Sequence, residues 1–198
     1  AGTPYDTMQE VIGTMGDEET RRSSLIGNGV LYDEVPLLNE TDIDFETLEK
    51  MVDDTTTMVL IQRSKGYSTR KSLTIETIEK ICNVAKSKNP NCICFVDNCY
   101  GEFVDSKEPT EVGADLMAGS LIKNPGGGIV EAGGYIAGKE LLVERAATRL
   151  TAPGIGSEGG AMFNQHRLMF QGLFMAPSVV ADAVKGAILA SKIFDEIG

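Results

Sequence analysis

Apolar residues fall along this chain in two rhythms. Blocks such as Thr57 to Ile61 and Cys92 to Asp97 are nearly continuous, the pattern of strands covered on both faces of a parallel sheet. Elsewhere apolar residues recur every three or four positions, as at Phe45, Leu48, Met51 and Val52, which marks a helical face. Read from the N-terminus, the pattern predicts a helix over Pro4 to Gly13 capped near Thr3, a polar surface loop to Gly29 and a strand over Leu31 to Leu38. A helix from Asp44 to Val52 and a strand at 57–61 follow, then a helix from Thr74 to Lys88 and a strand at 92–97. Asp115 to Gly119 and Gly133 to Gly138 read as two more strands, and Lys139 to Leu150 as a helix. Thr74 and Thr77 stand at capping distance, and Asn89-Pro90 stops the helix they open. Residues 157 to 197 read as largely helical, with Pro177 kinking or dividing the stretch. The alternation predicts an α/β fold. It has a mostly parallel twisted sheet with helices on both faces, one antiparallel strand near Tyr135, and a long C-terminal helical segment.

Length and charge narrow the picture. The 198 residues suit one domain, or one and a part. Residues 1–156 form the sheet-bearing part, and 157–198 the helical segment. A formal net charge of −11 disfavours nucleic acid or an anionic membrane as a general partner. No uninterrupted apolar run reaches the roughly 18 residues of a membrane span, and Ala1-Gly2-Thr3-Pro4-Tyr5-Asp6 lacks the blocks of a signal peptide. Four cysteines, at 82, 92, 94 and 99, and a single histidine, His166, do not make a metal-ligand set. They read as free thiols in a reducing cytosol, so the expected location is cytoplasmic.

Two residues carry candidate chemistry. Asp97 closes an apolar strand, where open parallel sheets place their ligands. A carboxylate there needs a donor or a cation. The pyridinium nitrogen of pyridoxal 5'-phosphate (PLP) and the cap of a following turn are equal readings of Asp97 alone. Lys123 lies in Gly119-Ser120-Leu121-Ile122-Lys123-Asn124-Pro125-Gly126-Gly127-Gly128. By itself it reads as a surface lysine. With Asp97 it supplies the two groups that PLP chemistry requires, an amine for a Schiff base and a carboxylate that keeps the ring nitrogen protonated. The Ser120 hydroxyl is placed to hydrogen-bond a phosphate, and Gly126 to Gly128 resemble a phosphate cradle.

Phe95-Val96-Asp97-Asn98-Cys99-Tyr100-Gly101-Glu102-Phe103 and the Gly119 to Gly128 block together resemble the methionine γ-lyase-like family, also labelled aluminium resistance proteins. This family lies within the fold-type-I, Cys/Met-metabolism group of PLP enzymes. Gly2 to Thr7, Gln62 to Ser68 and Arg149 to Gly156 look like further blocks of it, so the resemblance covers essentially the whole chain. It implies a PLP-binding large domain, partial over 1–156, with 157–198 leading toward a C-terminal domain beyond Gly198. Lys123 would bear the cofactor, Asp97 would meet its ring nitrogen, and Ser120 would hold its phosphate. Gln62 would lie near its phenolic oxygen, and Cys99 or Tyr100 would touch its ring. The stacking aromatic residue is expected before Ala1. Arg63, Arg70 and Arg149 are conceivable carboxylate ligands, with surface or helix-terminal roles as the alternative. The implied activity is a carbon–sulfur lyase acting on a small sulfur amino acid, in a homodimer or homotetramer. An aldolase, a transferase or a non-catalytic oligomer-forming core are the alternatives.

Overall fold

The computed structural model describes residues 2–160 and 162–198; Ala1 and Ala161, which fall in the two predicted segments, lie outside the described residues. Four strands form the central sheet: β3 (Met58–Gln62), β4 (Ile93–Asp97), β5 (Leu116–Ser120) and β6 (Gly134–Gly138), in the order β3-β4-β5-β6. The first three are parallel, and β6 runs antiparallel to β5 with Gly119 opposite Tyr135. The predicted mixed α/β sheet, with its antiparallel strand at Tyr135, is the one found.

Period-two alternation sorts the sheet into two faces. Ile61, Cys94 and Val96 point to one face and are fully buried. Against them lies α4 (Ile75–Lys88), whose Ile75, Ile78, Ile81, Cys82 and Ala85 form one apolar stripe at helical spacing. Thr74 caps this helix by accepting the Thr77 N–H. Leu48 of α3 (Phe45–Met51) and Val112 complete the core. Each fully buried isoleucine contributes about 1.5–3 kcal/mol, so this one face dominates the stability of the domain. The other face carries Met58, Leu60, Gln62, Phe95, Asp97, Leu116 and Ala118, and it stays partly open along most of its length.

The N-terminal region departs from the pattern reading. α1 (Asp6–Ile12) ends on Gly13 as expected, at φ 104, but its N-cap is Tyr5 and no side chain caps it. The expected loop before Gly29 contains a short helix, α2 (Glu18–Ser23), capped by Asp17. Its residues are all polar, so no apolar period announces it. The expected strand at Leu31 to Leu38 reduces to β1 (Leu37–Leu38), paired with β2 (Asp42–Ile43), because Leu31 and its neighbours have no strand to pair with.

α5 (Glu140–Leu150) follows β6, and α6 (His166–Ile197) runs 32 residues, about 48 Å. Pro177 does not divide it. Among the described residues, α6 alone is long and apolar enough to cross a membrane, with a mean hydropathy of 1.6 over a window only 11% buried. Arg167, Asp182 and Lys185 interrupt its apolar sequence, so no uninterrupted apolar run announces it. Residues 159 and 160 and 162–165 lie outside any helix.

Candidate functional site

The site is built where β3, β4 and β5 end. Gln62, Asp97 and Ala118 are register partners, so their side chains share the open face. Ser120, two residues beyond Ala118, lies on that face too. Asn98, Gly119 and Tyr135 point to the opposite face. After Ser120 the chain turns, with the Lys123 N–H donating to the Ser120 carbonyl at 3.2 Å. Four residues named from sequence, Gln62, Asp97, Ser120 and Lys123, thus come from three strand ends into one place.

The Asp97 carboxylate caps the following turn with one oxygen and keeps the other open. Oδ1 accepts the Cys99 N–H at 3.1 Å and folds the next turn. Oδ2 takes no donor among the hydrogen bonds of the described residues, which leaves it for a ligand. The turn puts Tyr100 at φ 67, a left-handed conformation that costs a non-glycine residue about 1–3 kcal/mol. In return the Tyr100 ring lies under Lys123, whose Nζ is 4.5 Å from the ring centroid. Lys123 is half-buried, and it enters none of the ion pairs among the described residues. Burial works against its ammonium, but the Cys99 thiol, Tyr100 and Asp97 outweigh it and raise the Lys123 pKa. Burial, and then Asp97, raise that of Cys99.

Tyr5 belongs to the same site. Its N–H donates to Gln62 Oε1 at 3.0 Å, and Gln62 Nε2 donates to the Ser64 carbonyl at 3.1 Å. Gln62 is therefore buried and engaged at both ends of its amide rather than exposed at a strand end. Burial, and then the Asp97 carboxylate, push the Tyr5 hydroxyl up, while Lys123 pulls it down. The phenol thus stands within electrostatic reach of both. Tyr5 is not among the residues that sequence singles out for chemistry; the signal for it is its position in the Gly2 to Thr7 block.

Other candidates fall away from the site. Gly126 and Gly127 are buried under α6, where a Cβ on Gly127 would come 2.5 Å from the Gly172 carbonyl oxygen. Close packing, not a phosphate cradle, explains these glycines. Arg63 is buried and donates to Asn98 Oδ1, the Gly101 carbonyl and Asp105. Arg70 donates to the carbonyls of Lys71, Gln62 and Ser64. Both guanidinium groups hold the chain itself, while Arg149 and His166 are exposed at helix ends.

The sheet order and the antiparallel β6 give the chain the fold-type-I architecture. The PLP-dependent protein YhfS of Escherichia coli shares this fold at a TM-score of 0.57, with 17% identity over 88% of this chain and 44% of its own. The sequence profile of the methionine gamma-lyase family matches residues 1–198, and the chain belongs to that family. A Listeria monocytogenes structure, described as a candidate cystathionine beta-lyase involved in aluminum resistance, is 50% identical over all of this chain and 49% of its own, with a TM-score of 0.94. A carbon-sulfur lyase involved in aluminum resistance from Clostridium novyi is 48% identical over all of this chain and 46% of its own, with a TM-score of 0.92. An uncharacterized 33.9 kDa protein of Lactobacillus delbrueckii is 48% identical over 98% of this chain and 63% of its own length. The chain thus spans less than two thirds of the curated relatives it matches, and about half of the solved ones.

Proposed function

We propose that this chain carries the cofactor-binding half of a PLP-dependent carbon–sulfur lyase acting on a small sulfur amino acid. The observation that supports it most is a half-buried lysine outside any ion pair among the described residues, above Tyr100 and beside an aspartate with one open oxygen. This donor set fits the cofactor: an amine for the aldehyde, a carboxylate oxygen for the ring nitrogen, and a hydroxyl on the same face for the phosphate. PLP, when bound, supplies the electron sink that cleavage at Cα and loss of a sulfur substituent require.

The residues divide the remaining work. Lys123 Nζ would hold the aldehyde and take the Cα proton. Asp97 Oδ2 would keep the ring nitrogen protonated. Ser120 Oγ would donate to the phosphate. Tyr5 would help enclose the cofactor, and Gln62 fixes the Tyr5 backbone. Cys99 and Tyr100 hold the free ammonium and would lie beside the cofactor. The free thiols Cys82, Cys92, Cys94 and Cys99 support a reducing, cytoplasmic setting. The exposed apolar side of α6 supports a homodimer or homotetramer.

The full-length protein tests this. Added PLP should give visible absorbance, and borohydride treatment should leave a pyridoxyl group on the Lys123 peptide, lost in Lys123→Ala. Methionine, cystathionine and cysteine should then be assayed for keto acid and thiol release. Labelling without release from any of the three would reject the lyase and favour another PLP reaction. Absence of labelling would reject the cofactor.

A further inference from the structure

We propose that Glu102 is a positioning residue for Lys123, holding the loop that carries the lysine from both of its ends. This rests on the cofactor-site reading above only for its purpose, not for its geometry. Glu102 is 4% exposed and lies on the face of the sheet opposite Asp97. Its Oε1 accepts the Tyr135 hydroxyl at 2.8 Å. The same oxygen presses on β5 at Gly119, where a built Cβ would come within 2.3 Å of it. Gly119 immediately precedes Ser120. On the far side of the lysine, Asn124 Nδ2 donates to the Glu102 main-chain carbonyl at 3.0 Å. One residue therefore fixes positions 119 and 124, with Lys123 between them.

Glu102 also ties this loop to the turn that presents Asp97 and Tyr100. Asn98, fully buried, approaches the Tyr135 hydroxyl at 3.4 Å and donates to Glu108 at 2.9 Å. Arg63 holds Asn98 and Gly101 from β3. The two halves of the site, aspartate turn and lysine loop, thus share one buried polar network, in which Tyr135 links Glu102 to Asn98.

The remaining oxygen, Oε2, is buried and has no partner among the described residues. An ionised carboxylate in that position would leave charge without a donor, whereas a protonated one leaves only a neutral hydroxyl. The charged and titratable groups facing it are Tyr135 from β6, Glu108 from the following turn and Arg63 from the end of β3. Burial raises the Glu102 pKa above the ordinary 4.5 and Glu108 adds to the rise, while its own main-chain N–H, the Tyr135 hydroxyl and Arg63 pull it down without cancelling it. Glu102 is therefore neutral at low pH, and burial opposes its charge as pH rises.

The test uses full-length protein carrying Glu102→Gln, Glu102→Ala or Tyr135→Phe. Lys123 is reductively methylated with labelled formaldehyde without cofactor, its methyl resonance is assigned by loss in Lys123→Arg, and it is followed against pH. Affinity for PLP is measured in parallel. Glu102→Gln keeps the shape and the acceptor for Tyr135. It should keep the wild-type resonance at low pH and PLP affinity within about twofold, and its resonance should not change as Glu102 titrates in the wild type. Glu102→Ala should shift the resonance and weaken PLP about tenfold. Should that variant not fold, Tyr135→Phe should shift the resonance in the same direction. A resonance unmoved in every folded variant overturns the proposal, as does Glu102→Gln behaving like Glu102→Ala. If the wild type does not take up PLP, the cofactor reading fails, and the cofactor-free resonance still decides the role of Glu102.

Discussion

At the scale of single residues, Lys123 is held by weak and opposed forces. Burial favours the free amine, while Cys99, Tyr100 and Asp97 favour the ammonium and prevail. The thiol is the first of the stabilising neighbours, so Cys99→Ala should lower the Lys123 pKa. Modification of Lys123 by an amine reagent should then reach half its maximal rate at a lower pH than in the wild type. Peptide mass spectrometry across a pH series checks this, and an unchanged midpoint would show that the thiol does not touch the amine. The Asp97 carboxylate commits one oxygen to a turn and leaves the other open. Its capping role and its proposed cofactor role are therefore compatible, although from sequence they competed.

At the scale of elements, the sheet is braced at the end away from the site by Asp115. Its Oδ2 accepts the Cys94 N–H at 2.8 Å and meets Lys86 of α4, and Oδ1 meets Lys139 before α5 at 2.5 Å. Burial opposes the charge of this carboxylate, but Lys139, Lys86 and the Cys94 N–H overcome it and lower its pKa below 3.8. A lowered carboxyl pKa gives stability that is present above the unfolded value and lost as pH falls through the folded one. Asp115→Asn should therefore cost about 1.5–3 kcal/mol near neutral pH. The difference from wild type should shrink below the unfolded value of 3.8. Urea titrations at neutral and acid pH measure both, and an equal loss at both would remove charge from the explanation.

At the scale of the whole molecule, α6 leaves most of its length exposed. Gly172, Ala176 and Val180 seat it on the lysine loop, while Phe170, Phe174, Leu189 and Phe194 remain exposed at 70%, 87%, 61% and 68%. Large apolar side chains exposed in this number mark a contact surface. In the full-length protein, sedimentation should give a dimer or tetramer, and Phe174→Asp should weaken the association by about tenfold or more. A monomer at micromolar concentration would reject the oligomer.

Much of this was written locally. The strand of Asp97, the lysine loop, the Thr74 cap and the antiparallel strand at Tyr135 each depend on residues within a few positions of one another. Their composition and period therefore announce them. What tertiary structure decided are the meetings across distance: Tyr5 with Gln62, Glu102 with Gly119 and Asn124, and Gly127 with Gly172. Register across strands and contact between distant backbones set these, and no local pattern encodes them. The same limit explains the short strand at Leu37, whose apolar neighbours found no partner. Sequence by itself determined which groups are available for chemistry. Only the fold decided which of them face one another, because a side chain's neighbours come from the sheet's order and not from its place in the chain.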